Sequence, residues 1–348
     1  MSNEYLGDLI ENLLGPVARN NLTRIIISIA YAIPQKPPKG ITQKCCKIGG
    51  VDCTAYDIDK RKSDGLFVFI HGGGWCTGST KYYHGILYQL VERMGIPAVS
   101  IDYRLAPEYQ YPAGLDDCEA VLKELHYSGC DHLKYDKSKI ILAGDSAGGN
   151  LTAALCYRLI QNNEQFIKAQ VLIYPVTHMF NFHSPSYQEY WKKYAGTALL
   201  NPKHMARWCL LYLGIPATKE NIKKLMNSQH LAEELESSTE FQNLIHYENL
   251  PNEFKENHSI RNRKPIDKEL AEKFMKVATN PEISPLFGIT SDLPTTLVLT
   301  AGYDILRDEG IQYAQKLKES GVKTEWKHFP RAFHEMMNEV IQFTKELL

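Results

Sequence analysis

The sequence has no long hydrophobic run and no excess of charge of one sign. Its most apolar early segment, Ile25 to Ile33, ends at Pro34, well short of the roughly 20 residues that a membrane-spanning helix needs. The formal net charge is −1, so there is no electrostatic reason to expect a nucleic acid partner. We therefore expect a small uncharged ligand.

The N-terminus also lacks the pattern of a secretory signal. Met1 to Asn12 contains Glu4, Asp8 and Glu11 where a basic region and then an apolar region would stand. The sequence as given therefore predicts a cytoplasmic location.

Motifs for nucleotide and metal chemistry are missing as well. The chain has no glycine-rich loop with a Walker lysine, no GxGxxG after a strand and no HExxH. Its eight cysteines form no CxxC pair and no zinc-type spacing with histidine, so we expect free thiols. We expect neither a cofactor nor a metal.

From Leu66 onward, short apolar runs alternate with helix-length segments, a pattern typical of buried parallel strands and their crossover helices. The predicted strands are Leu66–Ile70, Ala98–Ile101, Ile140–Ala143, Ala169–Ile173, Thr296–Thr300 and Glu325–Phe329. The predicted helices are Leu87–Met94, Asp117–His126, Asn150–Gln161, Gly310–Glu319 and Glu335–Leu348. This order predicts an α/β fold with a doubly wound, mostly parallel sheet.

The alternation stops between Thr177 and Ser284, where the chain becomes aromatic, charged and helical in pattern. The apolar residues between Tyr5 and Leu14 repeat at helical spacing, so an amphipathic helix is expected there. We expect it to cover the core, although such a helix could instead lie on a membrane surface. We thus divide the chain into N-terminal cap helices (1–40), an α/β domain (41–178 and 285–348) and a cap insertion (179–284).

The pentapeptide Gly144-Asp145-Ser146-Ala147-Gly148 stands between a predicted strand and a predicted helix. A Gly-x-Ser-x-Gly sequence in this setting is typical of a nucleophile elbow, a tight turn that exposes its serine. The flanking glycines are needed because larger side chains would collide in so tight a turn. We interpret Ser146 as a nucleophile; the alternative is a glycine-rich turn after a buried strand.

The segment His71-Gly72-Gly73-Gly74-Trp75 follows another predicted strand, at the edge where active sites of open sheets lie. Consecutive glycines leave backbone N–H groups accessible. The N–H groups of Gly73 and Gly74, with that of Ala147, could therefore stabilise the oxyanion of a tetrahedral intermediate. A flexible loop or a phosphate-binding nest is the alternative, and His71 itself is expected to brace the loop.

A serine nucleophile needs a base and an acid, which follow it in the chain in this arrangement. His334 lies in a loop before the last predicted helix, and we prefer it to His328, which lies within a predicted strand. Asp304 follows a predicted strand and is the expected acid. We interpret Asp292 and Asp308 as surface carboxylates.

Three segments together resemble the hormone-sensitive lipase family: His71 to Trp75, Tyr103-Arg104-Leu105-Ala106-Pro107-Glu108, and Gly144 to Asn150. The resemblance is strongest to the arylacetamide deacetylase and neutral cholesterol ester hydrolase branches. It implies an α/β-hydrolase fold, a helical cap, and hydrolysis through an acyl-enzyme. It also implies a Ser146, Asp304 and His334 triad with oxyanion donors at Gly73, Gly74 and Ala147, as the residues themselves indicate.

The resemblance leaves the location and the substrate open. Deacetylases of this family usually carry a membrane anchor facing the endoplasmic reticulum, so that compartment is the alternative if an upstream anchor is missing. Cys76 is present, but the position where relatives often have its disulfide partner holds Ala301. We expect a carboxylesterase or deacetylase acting on small apolar esters or acetylamides, with a lipase or sterol-ester hydrolase as the alternative. A further alternative is a non-catalytic ligand receptor on the same fold. The presence of His334, the expected base, argues against it.

Overall fold

An eight-stranded, mostly parallel sheet forms the centre of the molecule in a computed structural model that describes residues 3–30, 35–195, 200–255, 264–331 and 333–348. Within these ranges the side chains of residues 3–6, 8, 194 and 333–335 are not described. The strands are β1 (Ile41–Ile48), β2 (Val51–Ile58), β3 (Leu66–Ile70), β4 (Ala98–Ile101), β5 (Ile140–Asp145), β6 (Ile167–Ile173), β7 (Thr295–Ala301) and β8 (Thr324–Phe329).

The strand order is β1-β2-β4-β3-β5-β6-β7-β8. Strand β2 is antiparallel to both β1 and β4, and the six strands β4-β3-β5-β6-β7-β8 are parallel to one another. The six predicted strands are all present, and the predicted α/β-hydrolase fold is confirmed. The hairpin of β1 and β2 was not predicted. It turns at Gly49 and Gly50, both with positive φ, which is the two-residue turn that hairpins favour.

Helices cover both faces of the sheet and extend the chain beyond it. They are α1 (Asn3–Ala30), α2 (His84–Met94), α3 (Ala113–Tyr127), α4 (Ala147–Gln161), α5 (Pro185–Glu189), α6 (Pro202–Tyr212), α7 (Lys219–Met226), α8 (Glu233–Glu236), α9 (Thr239–Ile245), α10 (Lys268–Ala278), α11 (Arg307–Glu319) and α12 (Phe333–Leu347). Apolar residues of α3, α4 and α11 pack on one face of the sheet. Those of α2 and α12 pack on the other, so the sheet is buried on both sides.

Helices α5 to α10 lie between β6 and β7 in the chain, within the expected insertion, and surround an aromatic cluster. The ring of Phe180 makes edge contacts with those of Phe241, Phe274 and Phe287, at centroid distances of 5.9, 5.6 and 5.7 Å. Such T-shaped pairs bury large apolar areas in a specific geometry. The aromatic character of this segment therefore serves a packed helical layer.

Three described apolar residues of α1, Leu9, Leu13 and Leu14, are exposed, so the expectation that this helix covers the core with its apolar side is wrong for the part whose side chains are described. Leu13 and Leu14 are 71% and 72% exposed, whereas Glu11, Arg19 and Asn20 are buried. The helix bends at Gly15, which has a φ of 87° and is followed by Pro16. No helix within the described ranges is both long and apolar enough to cross a membrane.

Candidate active site

The turn between β5 and α4 places Ser146 at the carboxyl edge of the sheet. Its φ of 54° and ψ of −120° lie outside the ordinary regions for a residue with a side chain. The N–H of Ser146 donates to the carbonyl of Ile173 at 2.9 Å, and its own carbonyl accepts the N–H of Asn150 at 3.0 Å. These bonds hold the strained turn, and the side chain remains partly exposed.

Glycine at the neighbouring positions is required by close backbone contacts. A Cβ at Gly144 would stand 2.3 Å from the carbonyl oxygen of Gly148. A Cβ at Gly148 would stand 2.1 Å from the carbonyl oxygen of Ile70, at the end of β3. The start of α4 therefore lies directly against the strand that leads into the glycine loop.

Asp145 joins the serine turn to the glycine loop, a role that the sequence analysis missed. Its carboxylate accepts the N–H of Gly72 at 2.8 Å and the hydroxyl of Tyr83 at 2.9 Å. Burial raises the pKa of Asp145 to about 6, although both hydrogen bonds act in the opposite direction. The two halves of the site are thus fixed to each other by a buried carboxyl group.

The backbone of the glycine loop is folded back on itself after β3. Gly73 and Gly74 have φ values of 120° and 60°, which favour glycine. The carbonyl of Gly73 accepts the N–H of Thr77 at 2.9 Å. The N–H groups of Gly73, Gly74 and Ala147 donate to no acceptor in the described part of the chain.

His71 braces this loop, as expected from the sequence. Its ring is buried, stacks on Tyr103 at a centroid distance of 4.5 Å, and donates from Nδ1 to the carbonyl of Gly72 at 2.8 Å. Burial lowers its pKa, so the neutral ring is favoured. Asp102 accepts the N–H of Thr80 at 2.9 Å and so also bonds loop backbone.

Asp304 follows β7 at the same edge of the sheet. Its Oδ1 accepts the N–H of Leu306 at 3.0 Å, and Oδ2 accepts no hydrogen bond from any residue that the structure describes. Burial raises its pKa to about 6, while the Leu306 N–H and the charge of Arg307 lower it. Asp304 thus has an oxygen available for a further donor.

Asp308 is not the surface carboxylate that was expected. It is fully buried and accepts the N–H of Ser186 at 2.6 Å and the guanidinium of Arg307 at 2.8 Å. Its neighbour Glu309 is also buried and accepts the N–H groups of Thr177 and His178. Asp308 therefore attaches the inserted helix α5 to α11, and Glu309 attaches the segment that follows β6. Asp292, in contrast, is exposed as expected.

The side chain of His334 lies outside the described residues. Its backbone belongs to the first turn of α12, which begins just after β8. The turns after β7 and β8 touch, because the N–H of Gly302 donates to the carbonyl of Phe329 at 2.9 Å. The chain therefore brings the segments of Asp304 and His334 to neighbouring positions.

The competing histidine, His328, is held within the sheet. Its Nδ1 lies 3.0 Å from the hydroxyl of Thr300 on β7, and its ring contacts Phe254 edge-on at 4.9 Å. Burial and the charge of Arg307 lower its pKa. Its contacts are those of a packed strand residue.

The N-terminal helix attaches to the glycine loop through Arg24, a contact with no sequence signal of its own. Arg24 donates to the carbonyls of Cys76 and Ala106, each at 2.7 Å, and forms two hydrogen bonds with Glu108 at 2.9 Å. Asn20 adds a bond to the Cys76 carbonyl at 3.3 Å. Glu108 therefore holds the α1 residue that bonds the loop. Cys76 and the other cysteines are free thiols, as expected.

Comparison with known proteins agrees with this geometry. A family described by the alpha/beta hydrolase fold matches residues 67–244 and 227–338. Arylacetamide deacetylase of Bos taurus is 37% identical over 279 residues, covering 78% of this chain and 67% of that protein. Neutral cholesterol ester hydrolase 1 of Rattus norvegicus is 31% identical over 333 residues, covering 91% and 78%.

Among solved structures, an esterase from the bacterial hormone-sensitive lipase family shares the fold. It superposes with a TM-score of 0.68 at 20% identity, covering 94% of this chain and 91% of that one. The chain belongs to the hormone-sensitive lipase family of α/β-hydrolase esterases and is similar to its arylacetamide deacetylase and neutral cholesterol ester hydrolase members.

Proposed function

We propose that this protein is a serine hydrolase that cleaves apolar carboxylic esters or acetylamides through an acyl-enzyme, with Ser146, His334 and Asp304 as its triad. The observation that carries the proposal is the strained turn at Ser146, adjacent to backbone N–H groups that have no acceptor in the described chain. A strained serine beside unused donors is the arrangement that acyl transfer needs.

In the first half of the reaction, His334 takes the proton of the Ser146 hydroxyl as its oxygen attacks the substrate carbonyl. The oxyanion that forms is stabilised by the N–H groups of Gly73, Gly74 and Ala147. Asp304 accepts a hydrogen bond from the imidazole and stabilises its charged form. The alcohol or amine then leaves with the proton from His334, and water releases the acyl group by the same steps in reverse.

The substrate class follows from the cap, which we propose is formed by residues 1–40 and 179–284. Trp208 of the inserted helix α6 lies against Gly74, so the insertion brings an aromatic ring to the glycine loop, and apolar linings suit apolar ligands. Relatives named for arylacetamides and for cholesterol esters support acyl groups on aromatic or bulky apolar partners.

The decisive experiment tests Ser146 directly. The purified protein is expected to hydrolyse p-nitrophenyl butyrate and to be labelled by a fluorophosphonate at Ser146, and Ser146→Ala should abolish both. Ser291→Ala changes an exposed serine and serves as the matched control. Labelling at another residue, or no labelling of folded protein, would refute the proposal.

The base is tested by a pair of histidine variants. His334→Ala should lower kcat by several orders of magnitude, as the loss of a triad member does, whereas His328→Ala should change it little. The opposite ranking would reassign the base to His328. Since His328 bonds Thr300 within the sheet, its variant should lose some thermal stability instead.

A second candidate, a lipase acting at a lipid surface, is favoured by the exposed apolar side of α1. Leu13 and Leu14 stand in water, and exposed leucines on a helix can bind at a membrane interface. Leu13→Ser with Leu14→Ser should then reduce hydrolysis of emulsified long-chain esters but not of dissolved p-nitrophenyl butyrate. Equal rates on emulsions with and without the change would exclude this second candidate.

A further inference from the structure

A cleft of about 770 Å³ lies among the cap helices, lined by residues of α1, α5, α6 and α7. This volume is within the range of small-molecule sites. Neither Ser146 nor Asp304 is among its described lining residues. The cleft is therefore a site separate from the serine turn.

Basic side chains dominate one side of the cleft. Lys203 and Arg207 lie one turn apart on α6, and Lys219 and Lys223 lie one turn apart on α7. Residues four apart share a helix face, so each helix directs two cations to the same space. In a chain with a net charge of −1, this is a strong local concentration of positive charge.

These lysines are not neutralised by nearby carboxylates. Lys203, Lys219 and Lys223 are exposed and form no ion pair with the residues that the structure describes. On the same helix α7, Lys224 points elsewhere and pairs with both Glu220 and Asp267, at 2.6 and 2.8 Å. Glu220 and Asp267 therefore neutralise Lys224, which does not line the cleft.

Glu11 is the sole carboxylate among the described lining residues, and it is already shared by two arginines. Its Oε2 lies 2.7 Å from Arg207 and 3.6 Å from Arg19, and all three side chains are buried. Glu11 is thus already engaged by two cations and forms no ion pair with the described lysines of the cleft. Glu11 therefore does not cancel the charge of the lysines.

The cleft also has an apolar surface beside its polar and basic lining residues. Phe182, Tyr187 and Ile222 are buried side chains that border the cleft, and Trp191 adds a half-exposed ring. A ligand that used both surfaces would have an anionic end and an apolar body. Phosphate alone would leave the apolar surface uncovered, and a neutral ligand would leave the lysines without a partner.

We propose that this cleft binds the carboxylate end of an apolar acid, with the chain of the acid on the aromatic and aliphatic surface. The choice of a carboxylate rests on the proposed function, because ester hydrolysis releases a carboxylic acid that is ionised at neutral pH. The cleft borders the serine site through α6, since Trp208 packs on Gly74 one residue beyond Arg207. It thus holds the acid product beside the site that makes it.

The test compares decanoate, decanol and decyl phosphate, each below its aggregation limit, by calorimetric titration of the full-length protein. We expect decanoate to bind at least tenfold more tightly than decanol, and the affinity to fall as the salt concentration rises. Equal affinity for decanol, or binding of decyl phosphate without decanoate, would overturn the proposal.

Charge-reversal variants locate the site. Lys219→Glu with Lys223→Glu should weaken decanoate binding roughly tenfold, since two nearby cations are replaced by anions. Lys318→Glu changes an exposed lysine of α11 and is the control, with Lys219→Gln and Lys223→Gln as a milder pair if the first variant folds poorly. Unchanged affinity for decanoate in a folded charge-reversal variant would also overturn the proposal that this cleft binds the acid. None of the three ligands is a carboxylic ester, so the binding test gives a result whether or not the protein hydrolyses carboxylic esters.

Discussion

Replacing Asp145 by asparagine is expected to remove a pH dependence of folding stability that originates beside Ser146. The carboxyl group is buried and accepts hydrogen bonds from Gly72 and Tyr83. Asparagine has the same shape, and its amide can keep a bond to each of these partners. The variant therefore changes the charge and leaves the connection between the two loops in place.

The size and sign of the effect follow from the two pKa values. Folding raises the pKa of Asp145 from 3.8 to about 6, so the folded state binds the proton more tightly than the unfolded state. The resulting contribution is complete below pH 3.8 and is lost as the pH rises through 6. A pKa difference of about 2 corresponds to about 3 kcal/mol in total, of which about 1.4 kcal/mol falls between pH 5 and 8.

The measurement is urea unfolding of wild type and Asp145→Asn at pH 5, 6, 7 and 8 with reductant present. The free energy of unfolding of the variant minus that of wild type should increase by about 1.4 kcal/mol over this range. Asp131→Asn, at an exposed position, should give a constant difference. A constant or decreasing difference for Asp145→Asn would refute the claim that burial outweighs the hydrogen bonds at this carboxyl group.

Three further predictions concern the site. Gly148→Ala should cost roughly 3 kcal/mol or more in urea unfolding, because its Cβ would meet the Ile70 carbonyl, while Gly149→Ala, whose nearest contact is a Pro175 carbon at 3.0 Å, should cost about 1 kcal/mol. Equal costs would contradict the contact. Arg24→Gln should lower kcat/KM roughly tenfold by freeing the Cys76 carbonyl, and Arg61→Gln, which loses its pair with Asp57, is the control that should not. Hydrolysis should decline below about pH 6, because the protonated Asp304 no longer accepts the imidazole N–H, and a full rate at pH 5 would contradict this.

The sequence was sufficient for the parallel part of the sheet and for the two loops at its carboxyl edge. Strands such as Ile140–Asp145 are buried along their whole length, so they appear as uninterrupted apolar runs. Strand β1 lies at the edge of the sheet, and most of its residues are exposed or half-buried. Because β1 is polar, it has no apolar run that predicts a strand. Only Gly49 and Gly50 indicate the turn of the hairpin.

Contacts between distant parts of the chain could not be predicted, because no local pattern encodes them. Asp145 and Gly72 are 73 residues apart, and Glu309 and Thr177 are 132 apart. Each carboxyl group is buried only because the fold supplies a backbone N–H for it. The misinterpretation of Asp308 has the same origin, since an acidic residue in a sequence is usually exposed and its buried partners lie far away.

Helix α1 shows most clearly why the sequence pattern misled. An amphipathic helix on a globular core normally turns its apolar side inward. Here the surface of α6 offers Arg207 and Trp208, and the glycine loop offers the Cys76 carbonyl, so the helix meets polar partners. Glu11, Asn20 and Arg24 satisfy those groups, and the leucines are left outside.

The consequence is that one helix links three parts of the molecule that the sequence shows as separate. Through Glu11 it borders the basic cleft, through Asn20 it bonds Trp208 of α6, and through Arg24 it holds the carbonyl of Cys76. Because Trp208 also packs on Gly74, a shift of α1 changes the support of the glycine loop from two directions. The exposed leucines lie on this same helix. We therefore predict that a surface bound to them changes turnover, because the helix supports the loop whose N–H groups would stabilise the oxyanion.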